Sequence, residues 1–234
     1  SKGVDLLLAA WPLVVERVPA ARLVIVGFGA YRSGLEQIAA ALAAGDRDRL
    51  RALAGRGREL EGGEPGPLRM LLAFLDAQDP VAAGRYAAAA ARTAGTIAFT
   101  GRLAHADLAE LLPACEAQVV PSTFPEAFGM VAAEAAACGA LPVSADHSGL
   151  AEVSRHLTAA VPPAAAPWLS FPLGPGAVAG LAGNLIGWLE APPALREATR
   201  TALAATAGAD YSWAGVAGGV IAAAQGRLDG LAAP

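Results

Sequence analysis

The stretch AQVVPSTFPEAFGMVAAEAAACGALPVS, residues 117–144, decides the predicted fold. Two short apolar runs, 117–122 and 140–144, enclose a helical pattern that starts near Glu126–Met130. The runs are apolar at successive positions rather than at alternate ones, which is typical of strands in a sheet that helices cover on both faces. The stretch therefore predicts a strand, a helix and a second strand.

The same alternation of short apolar runs and helical patterns continues along the chain. Further strands are predicted at 22–27 and 96–101. Helices are predicted at 2–18, 33–42, 176–190, 193–206 and 212–227. Strands that alternate with helices indicate an α/β fold, with a doubly wound, Rossmann-like parallel sheet and helices on both faces.

Two features depart from this alternation. Residues 45–92 are predicted to form a charged, helix-rich insert with a loop at GGEPGP, a decoration between two strands that is peripheral to any ligand site. The chain also opens on a helix, which in such folds normally follows a strand. We therefore expect a strand ahead of Ser1, and we interpret residues 1–234 as one domain from a longer protein.

The composition is that of a globular domain, with 55% hydrophobic and 16% charged residues. Seventeen basic and twenty-one acidic residues give no cationic field, so nucleic acid is not an expected partner. Cys115 and Cys138 match no metal or disulfide spacing. We predict two core thiols in a reducing compartment, and hence a cytoplasmic protein.

No charged residue occurs between Leu157 and Leu189, so a membrane span is one interpretation of this stretch. Prolines interrupt the stretch, and the remainder, AVAGLAGNLIGWL, is shorter than the roughly 20 residues that a bilayer requires. The prediction is a buried loop followed by a core helix. The first residues show helical periodicity rather than a signal peptide.

One candidate site is the glycine turn GFGAYRSG, residues 27–34, which follows a predicted strand. A dinucleotide fingerprint would read G-x-G-x-x-G, but Arg32 occupies the third glycine position and Gly34 comes two residues later. The third glycine lets helix and sheet pack closely. We therefore favour a structural turn over a dinucleotide site.

A second candidate site lies where the helix after 117–122 begins. Ligands bind at the carboxyl edge of doubly wound sheets, and helix N-termini attract phosphate. Gly129 has no Cβ, which lets a ligand approach the backbone.

Glu134 falls on the face of this helix that also carries Met130, Val131 and Cys138, with no basic residue one turn away. Its carboxylate would be costly to bury alone. If Glu126 and Glu134 accept hydrogen bonds from a polyhydroxylated ligand, that cost is resolved. The alternative is that Glu134 faces water.

These residues carry a family resemblance. PEAFGMVAAEAAACGALPV, residues 125–143, resembles the signature of retaining "group 1" nucleotide-sugar glycosyltransferases with the GT-B fold. That signature is Glu, seven residues, Glu, with Phe-Gly after the first Glu, and it is matched by Glu126, Phe128, Gly129 and Glu134. Similar segments are 2–10, 23–36, 99–129, 147–153 and 211–217. The insert 45–92 lies outside the resemblance, and the family often has two glycines where this chain has Ser148-Gly149.

The resemblance implies a role for each matched residue. Glu134 would hold the ribose hydroxyls of the donor, and Glu126, the candidate catalytic residue, would contact the transferred sugar. Lys2 would neutralise the diphosphate leaving group, on which charge builds as the glycosidic bond breaks. Backbone N–H groups would meet the sugar and diphosphate at Phe128, Gly129, Met130 and Val131. The loop lining the base would be Gly101, Arg102 and Leu103.

The resemblance also implies which partners to expect. The donor would be a nucleotide-diphospho sugar bound without metal or cofactor, since the histidines are scattered and no Asp-x-Asp is present. The acceptor would bind a separate N-terminal domain, so this chain alone would be inactive, and the full-length protein could associate peripherally with a membrane. His105, His147 and His156 are expected at surfaces or helix ends.

Two other functions are alternatives to a glycosyltransferase. A dinucleotide-dependent oxidoreductase would use the glycine turn, although its fingerprint is broken. A non-catalytic binding or assembly module would use the insert 45–92 to contact a partner.

Overall fold

The computed structural model describes residues 2–227; Ser1 and residues 228–234 of the predicted domain lie outside that range. The strands are β1 Leu23–Val26, β2 Ile97–Gly101, β3 Ala117–Val120, β4 Leu141–Ala145 and β5 Ser170–Phe171. The helices are α1 Val4–Arg17, α2 Arg32–Ala43, α3 Arg47–Arg56, α4 Arg69–Asp76, α5 Pro80–Ala91, α6 His105–Leu111, α7 Met130–Ala137, α8 Ser148–Ala160, α9 Ala177–Leu189, α10 Pro193–Asp210 and α11 Trp213–Ala224. Short 3₁₀ turns lie at Arg58–Glu61, Leu112–Ala114 and Ala166–Trp168.

All strand pairs in the described range are parallel, as predicted. β1 pairs with β2, and β3, β4 and β5 form a second sheet in that order. The predicted strands and helices agree with the observed ones within a few residues, so the α/β, Rossmann-like class is confirmed. The prediction of one continuous sheet is not met, because β1 and β3 share no hydrogen bonds.

Helices enclose β4 completely. Every residue of Leu141–Ala145 is buried, and the strand contacts α7, α8, α9 and α10. A parallel strand becomes this inaccessible only when both of its faces are covered. By contrast, Val24 and Val26 of β1 are 40% and 37% exposed. β1 is therefore less completely covered by helices than β4.

Helix α1 spans the two sheets. At its start, the backbone of Gly3 lies so close to Pro121 that a Cβ on Gly3 would be 1.8 Å from the Pro121 carbonyl oxygen. Further along, the Trp11 indole N–H donates to Thr96 Oγ1 at 2.9 Å. Pro121 follows β3 and Thr96 precedes β2, so α1 runs from the carboxyl end of β3 to the amino end of β2.

Strand β5 was not predicted. Its residues, Ser170–Phe171, lie within the stretch that was expected to be a buried loop. Two residues are too few to show a strand pattern, and β5 is defined by pairing with Ser144 and Ala145 of β4. The core helix predicted after this loop is confirmed as α9, whose Trp188 is fully buried.

The insert 45–92 is helical, as predicted, but its helices form part of the core and are not merely a decoration between two strands. Leu71 and Leu75 of α4 are buried in the main hydrophobic cluster. The Tyr86 hydroxyl of α5 donates to the Ala9 carbonyl of α1 at 2.7 Å. The charged residues that suggested a surface element lie on the outer faces of these helices, while their apolar faces complete the core.

The two cysteines are half-buried and unpaired, rather than fully buried core thiols. Partial burial raises the pKa of both the Cys115 and the Cys138 thiol. Across residues 2–227, no helix combines the length and the apolar character that a membrane span needs.

Candidate functional site

The loops that follow β1, β2, β3 and β4 form the carboxyl edge of the two sheets. The Gly27 N–H donates to the Gly101 carbonyl at 2.9 Å, which joins the first two loops. The Gly149 N–H donates to the Glu126 carbonyl at 2.9 Å, which joins the loop after β3 to the start of α8. This is the edge at which ligands bind in doubly wound folds.

Lys2 and Glu126 form an ion pair at this edge. The Lys2 Nζ lies 2.5 Å from Glu126 Oε1, and the Ser122 hydroxyl donates to the same oxygen at 2.9 Å. The hydrogen bond from Lys2 is the main cause that lowers the pKa of Glu126, and the bond from Ser122 lowers it further. Burial of the carboxylate acts in the opposite direction but is outweighed. Glu126 is thus an ionised carboxylate with a cation held on it. The Lys2 side chain is 76% exposed and the Glu126 side chain 25%.

Ser148 and His147 fix the backbone of Glu126. The Glu126 N–H donates to Ser148 Oγ at 3.0 Å, and Ser148 Oγ lies 3.1 Å from His147 Nδ1. His147 Nε2 lies 2.7 Å from the Ser122 carbonyl oxygen. Because a carbonyl oxygen only accepts, Nε2 carries a proton; in the neutral ring, Nδ1 then accepts from the Ser148 hydroxyl. No sequence signal indicated this network, apart from the expectation that His147 lies at a surface or helix end.

One departure from the resembled pattern, Ser148 in place of a glycine, lies at the start of α8. Ser148 has φ 50°, and it is the sole non-glycine residue with positive φ within residues 2–227. Left-handed backbone favours glycine, so a glycine, which the resemblance implies at this position, would suit this conformation. At Gly149, a Cβ would lie 2.6 Å from the Phe128 Cα, so a glycine is required there.

The start of α7 presents free backbone donors. The first N–H groups of a helix have no partner within the helix, and those of Met130 and Val131 have none in the described structure. The side chains of Phe128, Met130 and Val131 are 47%, 61% and 43% exposed. At Gly129, a Cβ would lie 3.1 Å from the Val153 side chain, so this glycine also serves the packing of α7 against α8.

Glu134 is exposed on α7. In the part of the chain that the structure describes, its carboxylate has no ion pair or hydrogen bond. The Glu134 carboxylate therefore stays hydrated in the free protein and pays no desolvation cost there. The exposed position leaves the carboxylate able to accept from a ligand, and equally able to remain in water.

The predicted base loop meets the glycine turn after β1. The Arg102 guanidinium lies over the Phe28 ring, 5.6 Å from its centroid, and Phe28 is 75% exposed at the tip of the turn. Gly101 has φ 79°, a conformation that favours glycine. Phe28 was missed in the sequence, although an aromatic residue between two glycines after a strand is a usable signal.

The glycine turn does not have a dinucleotide fingerprint's geometry. Arg32, at the third glycine position, begins α2 and donates to the Phe99 carbonyl at 3.1 Å and to Glu36 at 2.8 Å. At Gly34, a Cβ would lie 2.9 Å from the Leu60 Cβ. This glycine therefore allows α2 to pack against the insert.

The other two histidines lie at the surface. His105 is the first residue of α6, and His156 of α8 lies 2.8 Å from the Asp210 carboxylate. Both positions agree with the prediction. Within residues 2–227, no group of three His, Cys, Asp or Glu side chains is placed to hold a metal ion.

Part of the chain matches a known protein family. Residues 82–165 match the family model described as "Glycosyl transferases group 1". The matched segment contains the predicted base loop, Glu126, residues 128–131 and Glu134, whereas Lys2 lies outside it. The predicted family resemblance is confirmed over this segment, which supports a glycosyltransferase function for the chain. No curated protein matches the chain.

Proposed function

We propose that this chain is the donor-binding domain of a retaining glycosyltransferase that uses a nucleotide-diphospho sugar without a metal ion. The observation that carries the proposal is the Lys2–Glu126 ion pair at the carboxyl edge, with Glu126 inside the segment that matches the group 1 family. Cleavage of a bond between a sugar and a phosphate needs a cation near the phosphate and a group that holds the sugar. Lys2 and Glu126 provide these two groups side by side.

The diphosphate is the part of the donor that needs positive charge. As the glycosidic bond breaks, its electrons move onto the departing phosphate oxygen, and a nearby cation stabilises that oxygen. The exposed Lys2 side chain exchanges its contact with Glu126 for one with the diphosphate. The N–H groups of Met130 and Val131 and the amino end of α7 add partial positive charge.

Once Lys2 moves to the phosphate, the Glu126 carboxylate is free to accept hydrogen bonds from sugar hydroxyls. Ser122 keeps one carboxylate oxygen oriented, and Ser148 keeps the backbone of Glu126 in place. Glu126 thus contacts the transferred sugar in a fixed geometry, which favours contacts that strengthen in the transition state.

The nucleoside binds at two further points. Glu134 accepts the ribose hydroxyls, in charge-assisted hydrogen bonds that are stronger than neutral ones. Phe28 and Arg102 offer an aromatic face and a planar cation beside the predicted base loop, Gly101, Arg102 and Leu103. The acceptor binds a separate domain, so the chain alone binds donor but does not transfer the sugar.

Calorimetry tests the proposal. UDP, GDP and ADP are titrated into the chain in the presence of EDTA, and at least one is expected to bind. Glu134→Gln is expected to weaken that binding about ten- to a hundredfold, the value of a charge-assisted hydrogen bond. The matched control is Glu152→Gln, which removes an exposed carboxylate from α8 and is expected to leave binding unchanged.

The result that would overturn the proposal is no heat with any of the three diphosphates from a sample with a native circular dichroism spectrum. Equal losses for Glu134→Gln and Glu152→Gln would return Glu134 to a solvated surface residue and remove the ribose assignment.

A further inference from the structure

Three aromatic rings form a row beside the amino end of α7. The ring centroids of Phe128 and Tyr211 lie 5.7 Å apart, with an angle of 78° between the ring planes. The centroids of Tyr211 and His156 also lie 5.7 Å apart, with an angle of 65°. Both pairs have the edge-to-face geometry that aromatic rings favour at this separation. Tyr211 is therefore the middle ring of a row that begins beside the candidate donor site.

The far end of this row is fixed by a hydrogen bond. His156 Nε2 lies 2.8 Å from the carboxylate of Asp210, the last residue of α10. Because a carboxylate only accepts, Nε2 carries the proton, and the bond sets the plane of the imidazole ring. Tyr211 follows Asp210 directly, and its backbone N–H donates to the Ala207 carbonyl at 3.0 Å. The Tyr211 ring is thus supported on the side that faces away from Phe128.

The backbone of Phe128 is held by α8. A Cβ on Gly149 would lie 2.6 Å from the Phe128 Cα, so the two backbones are in close contact. The Gly149 N–H also donates to the Glu126 carbonyl at 2.9 Å. These contacts fix the backbone of the loop but leave the Phe128 side chain 47% exposed. Contacts from α8 and the ring of Tyr211 therefore hold the same loop, one at its backbone and the other at a side chain.

This loop sets the position of the first backbone donors of α7. Gly129, the N-cap of α7, directly follows Phe128. The N–H groups of Met130 and Val131, which the proposed function directs at the donor diphosphate, come next. A binding group that is already held in its bound position loses less conformational freedom when the ligand arrives. A fixed Phe128 ring should therefore favour donor binding without any contact between Tyr211 and the donor.

We propose that Tyr211 is a positioning residue for the donor site. Its ring holds Phe128, and through Phe128 the amino end of α7, in the conformation that receives the diphosphate. The identity of the ligand rests on the proposed function, whereas the positioning rests on the ring contacts. Tyr211 opens the segment 211–217, to which the proposed donor contacts otherwise assign no role.

Three variants of the chain test the proposal. Tyr211→Ala removes the ring, and Tyr211→Phe keeps the ring and removes the hydroxyl. Trp168→Ala is the matched control, because Trp168 forms an edge-to-face pair with Trp188 at 6.3 Å between centroids. The Trp188 indole donates to the carbonyl of Glu116, which precedes β3, so this pair lies at the edge of the sheet opposite the donor site.

Calorimetry measures the effect on the ligand. UDP, GDP and ADP are titrated into the parent chain and each variant in the presence of EDTA. Tyr211→Ala is expected to bind the preferred diphosphate about two- to tenfold more weakly, the range expected for the loss of one aromatic pair. Tyr211→Phe and Trp168→Ala are expected to bind it as tightly as the parent.

Amide hydrogen exchange follows the loop without any ligand. The N–H groups of Ala132 and Ala133 donate to the Gly129 carbonyl in the first turn of α7. Both amides should exchange up to about tenfold faster in Tyr211→Ala than in the parent, because the turn opens more often once the ring contact is lost. They should exchange more slowly in Trp168→Ala than in Tyr211→Ala, since a general loss of stability would affect both variants alike.

Two results would overturn the proposal. One is a folded Tyr211→Ala variant that binds the diphosphate as tightly as the parent does, in which case the proposed function would stand without this positioning role. The other is equal exchange of the α7 amides in Tyr211→Ala and Trp168→Ala. No binding by the folded parent would instead contradict the proposed function, and the exchange comparison would still decide whether Tyr211 fixes the loop.

Discussion

Ser148 Oγ accepts the backbone N–H of Glu126 at 3.0 Å, and Ser148 adopts a left-handed backbone conformation to do so. The contact ties the amino end of α8 to the loop after β3, where the candidate catalytic carboxylate lies. The hydrogen bond to the Ser148 side chain stabilises the fold, whereas the positive φ of its backbone destabilises it. Two substitutions can separate these contributions to the free energy of unfolding.

Ser148→Ala removes the acceptor and keeps the strained conformation, so it should destabilise the fold by about 1–3 kcal/mol, the cost of an unpaired, partly buried N–H. Ser148→Gly also removes the acceptor but relieves the strain, and should cost about 1 kcal/mol less. Urea unfolding measures both. If the glycine variant is the less stable of the two, φ 50° at Ser148 is not strained.

Lys2 and Glu126 should respond differently to substitution. Lys2→Met removes the cation proposed for the diphosphate, so nucleoside diphosphate should bind about ten- to a hundredfold more weakly. Glu126→Gln releases Lys2 from its ion pair, so the diphosphate should bind as well as before or more tightly, while the nucleotide sugar binds more weakly.

A calorimetric titration of each variant with the diphosphate and with its sugar conjugate measures these effects. Arg85→Met, on the exposed face of α5, is the control for loss of a positive charge. Equal losses for both variants with both ligands would contradict the division of roles between Lys2 and Glu126.

Asp5 should make the stability depend on pH. Its side chain is buried in the first turn of α1, and desolvation raises its pKa from 3.8 to about 6. Between these values the folded protein keeps a proton that the unfolded chain releases, so the free energy of unfolding falls as the pH rises from about 4 to 6. The shift corresponds to about 3 kcal/mol.

Asp5→Asn should therefore stabilise the protein at pH 7 by up to about 3 kcal/mol and change little at pH 3.5. Asp48→Asn is the control, because Asp48 occupies the first turn of α3 but is exposed. Thermal unfolding across this pH range provides the measurement. An Asp5→Asn variant less stable than the parent at pH 7 would show that the charge is stabilised in the folded protein.

The insert should matter for stability and not for donor binding. Leu71→Ala opens a cavity in the core and should cost about 2–5 kcal/mol. Leu72→Ala, at the neighbouring half-buried position, should cost less. Both folded variants should bind nucleoside diphosphate within a few-fold of the parent. A large loss of affinity in folded Leu71→Ala would mean that the insert supports the site.

Most elements of the fold could be predicted from the sequence, because their signals are local. A run such as LVIV predicts a strand, and the spacing between Glu126 and Glu134 is visible without any contact between distant residues. The family match over residues 82–165 confirms the resemblance that this spacing carried. Strand β5 is the exception, because its two residues are defined by their pairing with β4.

By itself, then, the sequence determined the alternation of strands and helices and the motif after β3, since periodicity and glycine placement act over a few neighbouring residues. The tertiary structure alone decided which distant groups meet. It brought His147 and Ser148 onto the loop of Glu126, buried Leu71 in the core and, within residues 2–227, separated the strands into two sheets. These outcomes depend on strand order and helix packing, which are set by contacts between residues far apart in the chain and leave no local pattern.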